Sequence, residues 1–413
     1  MKPSRLLVSF GSAIALFSFL SIGLNRGIPS FHLAFAQVPF SSADSNKNPL
    51  ANAPNLAPVP LDHQETQEFL DVRGVGDAGM ALTYKQPLSV DQSLPRGGKA
   101  NFGEKLDQLD PTGKSYQGDL SFINWESTVG TSCQQFRGRP SRSSYAFVSH
   151  PDNLVKAQER GFNLIGLANN HSWDCQISDT GGNGSLRSAE HLKRLTQQHS
   201  LNWLWHGVGS QKEPTIRTIK IKGNDVTVAF ASLYLGQGDG DCTYLSCIEN
   251  RNSLLQSFRN IDADLKILSI HSWNNATQQQ LVNTGVDFLE NYDGDIVFGH
   301  GPHVWKPVRI VESSSGKKGV MFESLGNFIH PSLGAQNANL IGRVLFDFDT
   351  MTLRQVQAIP VATRGANANF SQAPSPTQLP ANVEWQTIND PAWSEGLNSE
   401  VRGVYTNING GSN

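Results

Sequence analysis

Residues 161–171 read Gly-Phe-Asn-Leu-Ile-Gly-Leu-Ala-Asn-Asn-His. A short apolar run, Asn163 to Leu167, ends in three polar side chains. A continuous run of this length suits a strand buried on both faces. The same figure recurs along the chain. Leu120 to Ile123 precedes Asn124-Trp125-Glu126, Ile267 to Ile270 precedes His271, and Ile296 to Phe298 precedes Gly299-His300-Gly301-Pro302-His303. Val72 to Val75 leads to Gly76-Asp77.

Amphipathic stretches lie between these runs. Asn153 to Arg160, Ser185 to His199 and Ala276 to Glu290 predict helices, the second with Leu186, Ala189, Leu192 and Leu195 on one face. Ile216 to Ile221 and Val226 to Leu233 flank Gly223-Asn224, a hairpin signal. Val308 to Glu312 with Val320 to Glu323, and Val344 to Phe348 with Leu353 to Ile359, predict two more. Strand–helix alternation followed by late hairpins predicts an α/β fold of mixed β-sheets flanked by helices.

In such sheets the carboxyl ends of parallel strands converge on one rim, where ligands bind. Asp77, Glu126, Asn170, His271, His300 and His303 would then share that rim. Carboxylates with imidazoles suit manganese, iron or zinc, whereas calcium prefers oxygen alone. One or two such ions clamp a phosphoryl group and activate water. His171 would serve as general acid or steady the transferring oxygen. Each residue has a plainer reading. A strand-end histidine is usually hydrogen-bonded scaffold, and Asn169-Asn170 suits a turn. His206 is either structural or a lining residue of the cleft. Co-occurrence at several strand ends favours one site.

These clusters resemble the CapA family of capsule and poly-γ-glutamate synthesis proteins. The opening 161–171 segment is similar to the family's "GFDVVSLANNH", and Asp174 matches the Asp that follows it. Asn124-Trp125-Glu126 resembles "NLE". The stretch from Asp295 to Val304 resembles "DVVIGHGPHV", and Ser324 to Phe328 matches "SLGNF". Gly207-Val208-Gly209 and Gly76-Asp77 resemble the family's "GAG" and "GD". The likeness spans roughly Val72 to Ile329. It implies a calcineurin-like metallophosphoesterase sandwich and a role in envelope-polymer synthesis or export. The expected partners are an anionic envelope polymer or its precursor and a membrane synthase complex. Asn169, Asp174, His206 and Asn327 stand as candidate substrate contacts. The chain departs from relatives in three places, one of them Gly301, where some relatives carry a His. A Glu is missing after His271-Ser272-Trp273, and Asp77-Ala78-Gly79 lacks the His of true metallophosphoesterases. A hydrolase or transferase is therefore expected, with a non-catalytic polymer- or synthase-binding protein as the alternative.

The ends set the compartment. Lys2 and Arg5 precede an uncharged apolar run from Leu6 to Leu24, and Ala34-Phe35-Ala36 offers a cleavage site. Residues 1–36 are expected to be a signal peptide that exports the chain to the periplasm or cell surface. An uncleaved anchor is the competing reading, because the run approaches the ~20 residues that span a bilayer. Residues 37–66 read as a flexible linker, 67–365 as the domain, and 366–413 as a Pro/Asn/Ser/Gly-rich tail that partly docks. The net charge of -3 gives no electrostatic case for nucleic acid. Four cysteines allow three pairings. Cys242 with Cys247 and Cys133 with Cys175 are expected.

Overall fold

The structure is a computed structural model. It describes residues 69–79, 101–113, 115–137, 146–178, 182–236, 242–330 and 336–363, with short strands at 58–59, 88–89, 377–378 and 385–387. The expected signal peptide and most of the linker and tail lie outside these residues.

Two mixed sheets face each other. The first contains β1 (Phe69–Ala78), β2 (Leu120–Trp125), β3 (Leu164–Gly166) and β4 (Leu204–His206), all parallel. The second contains β5 (Thr215–Ile221), β6 (Asn224–Tyr234), β7 (Leu265–His271), β8 (Ile296–His300), β9 (Trp305–Glu312) and β10 (Lys318–Leu325). Its central strands β6, β7, β8 and β10 are parallel, with β5 and β9 antiparallel at the edges. The hairpin β11 (Gln336–Asp347) and β12 (Leu353–Thr363) returns to the first sheet, where β11 pairs antiparallel with β1. Part of the tail adds to this edge, since Trp385–Thr387 pairs with both β12 and Pro58–Val59.

The alternation of side chains explains the layers. Leu70, Val72, Phe122 and Leu164 of the first sheet meet Val228, Ile267, Phe298 and Phe322 of the second in one buried cluster. Phe122 stacks on Phe298 with centroids 4.6 Å apart. A Cβ on Gly74 would lie 2.3 Å from the Phe298 ring, so the sheets approach this closely only over glycine. The opposite faces are covered by helices. α1 (Asn101–Leu109), α2 (Pro151–Gln158) and α3 (Gly184–His199) contribute Phe102, Leu106, Leu154 and Leu192 over Ile123 and Trp125. α4 (Arg251–Arg259) and α5 (Asn275–Asn291) pack Leu254, Phe258, Leu281 and Phe288 against Leu268, Ile270 and Val297. Strands covered on both faces lose the alternating pattern, and every residue of β2, β7 and β8 is buried.

Helix starts follow side-chain caps. Asn183 Oδ1 accepts from the Ser185 and Leu186 amides, and Asn274 Oδ1 accepts from the Thr277 amide. The β5–β6 turn places Lys222 and Gly223 at φ 49° and 89°, as a tight hairpin requires. Both expected cysteine pairs are disulfides, with Cα atoms 5.5 Å apart for Cys133–Cys175 and 5.6 Å for Cys242–Cys247. No helix among the described residues is long and apolar enough to cross a membrane.

The sheets are fastened together at one rim. Asp77 N donates to Gly326 O at 2.9 Å, Phe328 N to Asp77 O at 2.8 Å, and Gly79 N to Ile329 O at 2.9 Å. A Cβ on Gly76 would lie 1.9 Å from Gly326 O, main chain that cannot swing away. Gly76→Ala is therefore expected to lower stability by ~2–3 kcal/mol, the upper range for overpacking, read as a lower urea midpoint with unchanged slope.

Candidate metal centre

All parallel strands of both sheets end at the fastened rim. Asp77 is the penultimate residue of β1, Glu126 follows β2, Asn170 and His171 follow β3, His271 ends β7 and His300 ends β8. His303 and His330 follow in the loops after β8 and β10. His303 holds a left-handed backbone, φ 58°. A bulky non-glycine residue there costs on the order of 1–3 kcal/mol and marks functional sites.

The distances show convergence. Asp77 Oδ1 lies 3.8 Å from His271 Nδ1 and 3.7 Å from His300 Nδ1, while Asp77 Oδ2 lies 3.4 Å from His303 Nδ1. Glu126 Oε1 is 3.8 Å from His271 Nε2 and 3.7 Å from His171 Nε2. Glu126 Oε2 is 3.0 Å from His330 Nε2. Two donor groups have ligand atoms within 4.8 Å of one another: Asp77, Glu126 and His271, and Glu126, His303 and His330. Glu126 belongs to both.

These residues fit a metal. Glu126 is fully buried, yet neither carboxylate oxygen has a hydrogen-bond donor. Asp77 Oδ2, Asn170 Oδ1 and both nitrogens of His330 are also buried and complete no well-aligned hydrogen bond, although Asp77 Oδ2 faces His303 and His330 Nε2 faces Glu126. A carboxylate removed from water and given no donors is costly unless a cation meets it. Mixed imidazole and carboxylate donors suit a divalent transition ion.

Electrostatics agree with crowded, desolvated donors. Burial, reinforced by the negative charge of Asp77, pushes the Glu126 carboxyl up to about 8. Burial also opposes ionisation of Asp77, but the His303 hydrogen bond and the His271, His303 and His300 charges outweigh it and hold that carboxyl below its usual range. Burial drives His271 down to about 3 and His300 to about 4. His330 falls well below 6.5 from burial and the nearby His303 charge. For His303, burial opposes the charge, but Asp77 and Glu126 raise it to about 9.

His171 stands beside the donors with its own partner. Its Nδ1 lies 2.5 Å from Asp174 Oδ2, and its ring packs 4.2 Å from Phe147. Asp174 Oδ2 also accepts from Phe147 N at 2.8 Å. Burial resists protonation of His171, but the Asp174 charge and hydrogen bond raise its pKa above the ordinary value.

The expected substrate contacts have these partners within the protein. Asn169 is buried and donates to Trp125 O at 2.9 Å while accepting from His171 N at 3.0 Å, which fixes the loop. Asn327 is buried and accepts from His303 Nδ1 at 2.8 Å, an arrangement that would leave Nε2 free for a metal. Asp174 orients His171. His206 is not brought into the site. It is fully buried, its Nδ1 accepts from Ser232 N at 2.9 Å, and its Nε2 reaches Glu213 O at 3.0 Å. Burial lowers it to about 4, so it is a neutral packing histidine. His300, an expected ligand, lies beside Asp77 but outside both donor groups, its ring 5.1 Å from Phe122. Sequence reasoning missed His330.

Two face-to-face mixed sheets carry a cluster of histidines and carboxylates at their common rim, a candidate metal centre on an α/β sandwich. The family model described as bacterial capsule synthesis protein PGA_cap matches residues 75–332, and the chain belongs to that family. Its function is thereby tied to capsule synthesis. No curated protein matches the sequence. Among solved structures, a novel phosphatase from Mycoplasma pneumoniae is similar at 13% identity and TM-score 0.41, covering 72% of this chain and 95% of that one. A hypothetical protein from Thermus thermophilus is similar at 14% identity and TM-score 0.37, covering 70% of this chain and 97% of that one. Both likenesses are too distant to speak for this chain.

Glu126 and His303 must lose their protons before they ligate. With the metal-free groups at about 8 and about 9, metal affinity is expected to rise with pH up to that range, by roughly tenfold per unit for each proton released. Calorimetry of manganese or zinc binding in buffers of different ionisation enthalpy reads the released protons directly, and a pH-independent affinity would contradict it.

Proposed function

We propose that this protein is exported and acts in capsule-type polymer synthesis or export through a metal-dependent hydrolase or transferase site. The observation that carries this reading is Glu126: buried, without hydrogen-bond donors, and common to two groups of metal-binding side chains. Asp77, Glu126 and His271 would hold one ion, and Glu126, His303 and His330 a second, with Asn170 Oδ1 as a further oxygen donor. Manganese, iron and zinc are the candidates by donor type. Bound there, the metal supplies polarisation of a phosphoryl oxygen and an activated water.

The chain's own residues supply the rest. Asp174 holds the Nδ1 proton of His171 and turns Nε2 toward the centre. The Asp174 charge and hydrogen bond favour the protonated form of His171, which would give its proton to a leaving oxygen. Phe147, packed on His171 and edge-on to His330 at 5.2 Å, gives the dyad an apolar wall. The substrate would be an anionic envelope polymer or its phosphorylated precursor, handled with a membrane synthase complex. Two disulfides support export, because such bonds persist in oxidising compartments.

The test uses the mature protein reconstituted with manganese, iron or zinc in turn, with metal content by mass spectrometry and hydrolysis of p-nitrophenyl phosphate. His271→Ala is expected to lower bound metal. His171→Ala should keep the metal but lose about 10²–10⁴-fold in turnover. A wild-type protein that retains none of the three ions would overturn the hydrolase reading.

A further inference from the structure

Arg73, Arg160, Arg187, Arg251, Arg309 and Arg343 each pair with a carboxylate. Arg137 pairs with none among the described residues. Its Cζ lies over the ring of Trp173, 4.8 Å from the centroid. The side chain is half-buried, so it gives up part of its hydration without a counter-charge in return.

Main chain fixes where this guanidinium stands. Arg137 N donates to Asp174 O at 2.7 Å, which ties the residue to the carboxylate that holds His171. Trp173, next to Asp174 in the chain, packs on Tyr234 with centroids 5.3 Å apart. Tyr234 in turn packs on His271 at 6.0 Å. Arg137, Trp173, Tyr234 and His271 thus form one continuous row that ends at a candidate metal ligand. The Tyr234 hydroxyl lies within reach of the Arg137, Glu126 and Asp174 charges alike, so the guanidinium shares the electrostatic neighbourhood of the centre.

A cation–π contact occupies the flat face of a guanidinium and leaves its edge, a planar fork of N–H donors, open. Two oxygens of a carboxylate or phosphate match that edge bidentately. Elsewhere in the centre, the charges of protonated His303 and His171 already face Asp77 and Asp174. An anionic chain reaching past three acids gains from a further fixed cation. We propose that Arg137 anchors a non-reacting anionic group of the substrate, a carboxylate or a phosphate, beside the His171–Asp174 dyad. The inference rests on the polymer-handling reading of the site and adds a binding residue to it. The reacting group would sit at the metal centre, and a neighbouring charged unit of the chain would meet the guanidinium edge.

The experiment measures binding of the full mature protein, loaded with manganese, to two immobilised polyanions. Poly-γ-glutamate carries only carboxylates and poly(glycerol phosphate) only phosphates, and neutral dextran is the control. Wild type is expected to bind at least one polyanion and not dextran. Arg137→Gln should weaken that binding at least tenfold and flatten its salt dependence, with wild-type metal content and melting temperature. Arg137→Lys keeps the charge without the fork and should recover part of the loss. Loss on poly-γ-glutamate alone assigns the group as a carboxylate, loss on poly(glycerol phosphate) alone as a phosphate, and loss on both as either oxyanion. Equal binding by wild type and Arg137→Gln overturns the inference while the polymer-handling reading stands. A wild type that binds neither polyanion overturns both. Weaker binding that follows a fall in melting temperature or metal content in both variants makes Arg137 a packing residue and also overturns the inference.

Discussion

Two carboxylates, Asp77 and Glu126, are taken out of water at the rim of the sandwich, and the rest of the structure is arranged around that fact. Each buried ionised carboxylate costs several kcal/mol unless positive charge and donors meet it. Asp77 is answered by Asn124 Nδ2 at 2.7 Å and by protonated His303. Glu126 has imidazoles around it and no hydrogen-bond donor. Burial and the Asp77 charge push its carboxyl up to about 8, so a cation bound there would displace its proton.

Backbone devices keep these groups together. The Asp77–Gly326 and Phe328–Asp77 hydrogen bonds join the first sheet to the second where their strands end. Register sets His271 directly beside His300 on adjacent parallel strands. His303 adopts a left-handed backbone, and its Nδ1 lies between Asn327 Oδ1 and Asp77 Oδ2. The strain at that position is retained because packing over-determines it. The scaffold holds the donors before any ligand arrives.

Much of this was legible in the sequence because parallel strands covered on both faces leave continuous apolar runs, and the polar residue ending each run marks the rim. Asp77, Glu126, His271 and His303 could be read that way. The three hairpins were legible from Gly223, Gly316 and the alternation on either side of residues 349–352. Other parts left weaker signals. β4 is only Leu204–His206, and α4 is a nine-residue helix with one short apolar face. The return of β11 to pair with β1 is a long-range choice that no local pattern encodes. His330 escaped because only Phe328-Ile329 precede it, too short a run to read as a strand. For the four expected substrate contacts, polarity in a motif does not reveal whether a side chain faces a ligand or its neighbour. Asn169, Asp174 and Asn327 support the site's loops and imidazoles, and His206 satisfies main chain in the core.

The disulfide Cys133–Cys175 joins the compartment to the chemistry. Cys175 directly follows Asp174, and its strand, Cys175–Ser178, pairs with Ser132–Phe136. Arg137 N donates to Asp174 O at 2.7 Å from the end of that partner strand. Asp174 is thus held by main chain on one side, by Phe147 N on the other, and by a covalent bond at the next residue. Closing a loop over a separation of 42 residues removes on the order of 4 kcal/mol of chain entropy from the unfolded state. That constraint bears on the strand that aims His171, while the metal-binding residues rest on the sheet ends and the Asp77–Gly326 fastening. The proton-handling dyad and the metal centre are therefore braced by separate means, and the dyad's brace is complete only where the thiols are oxidised.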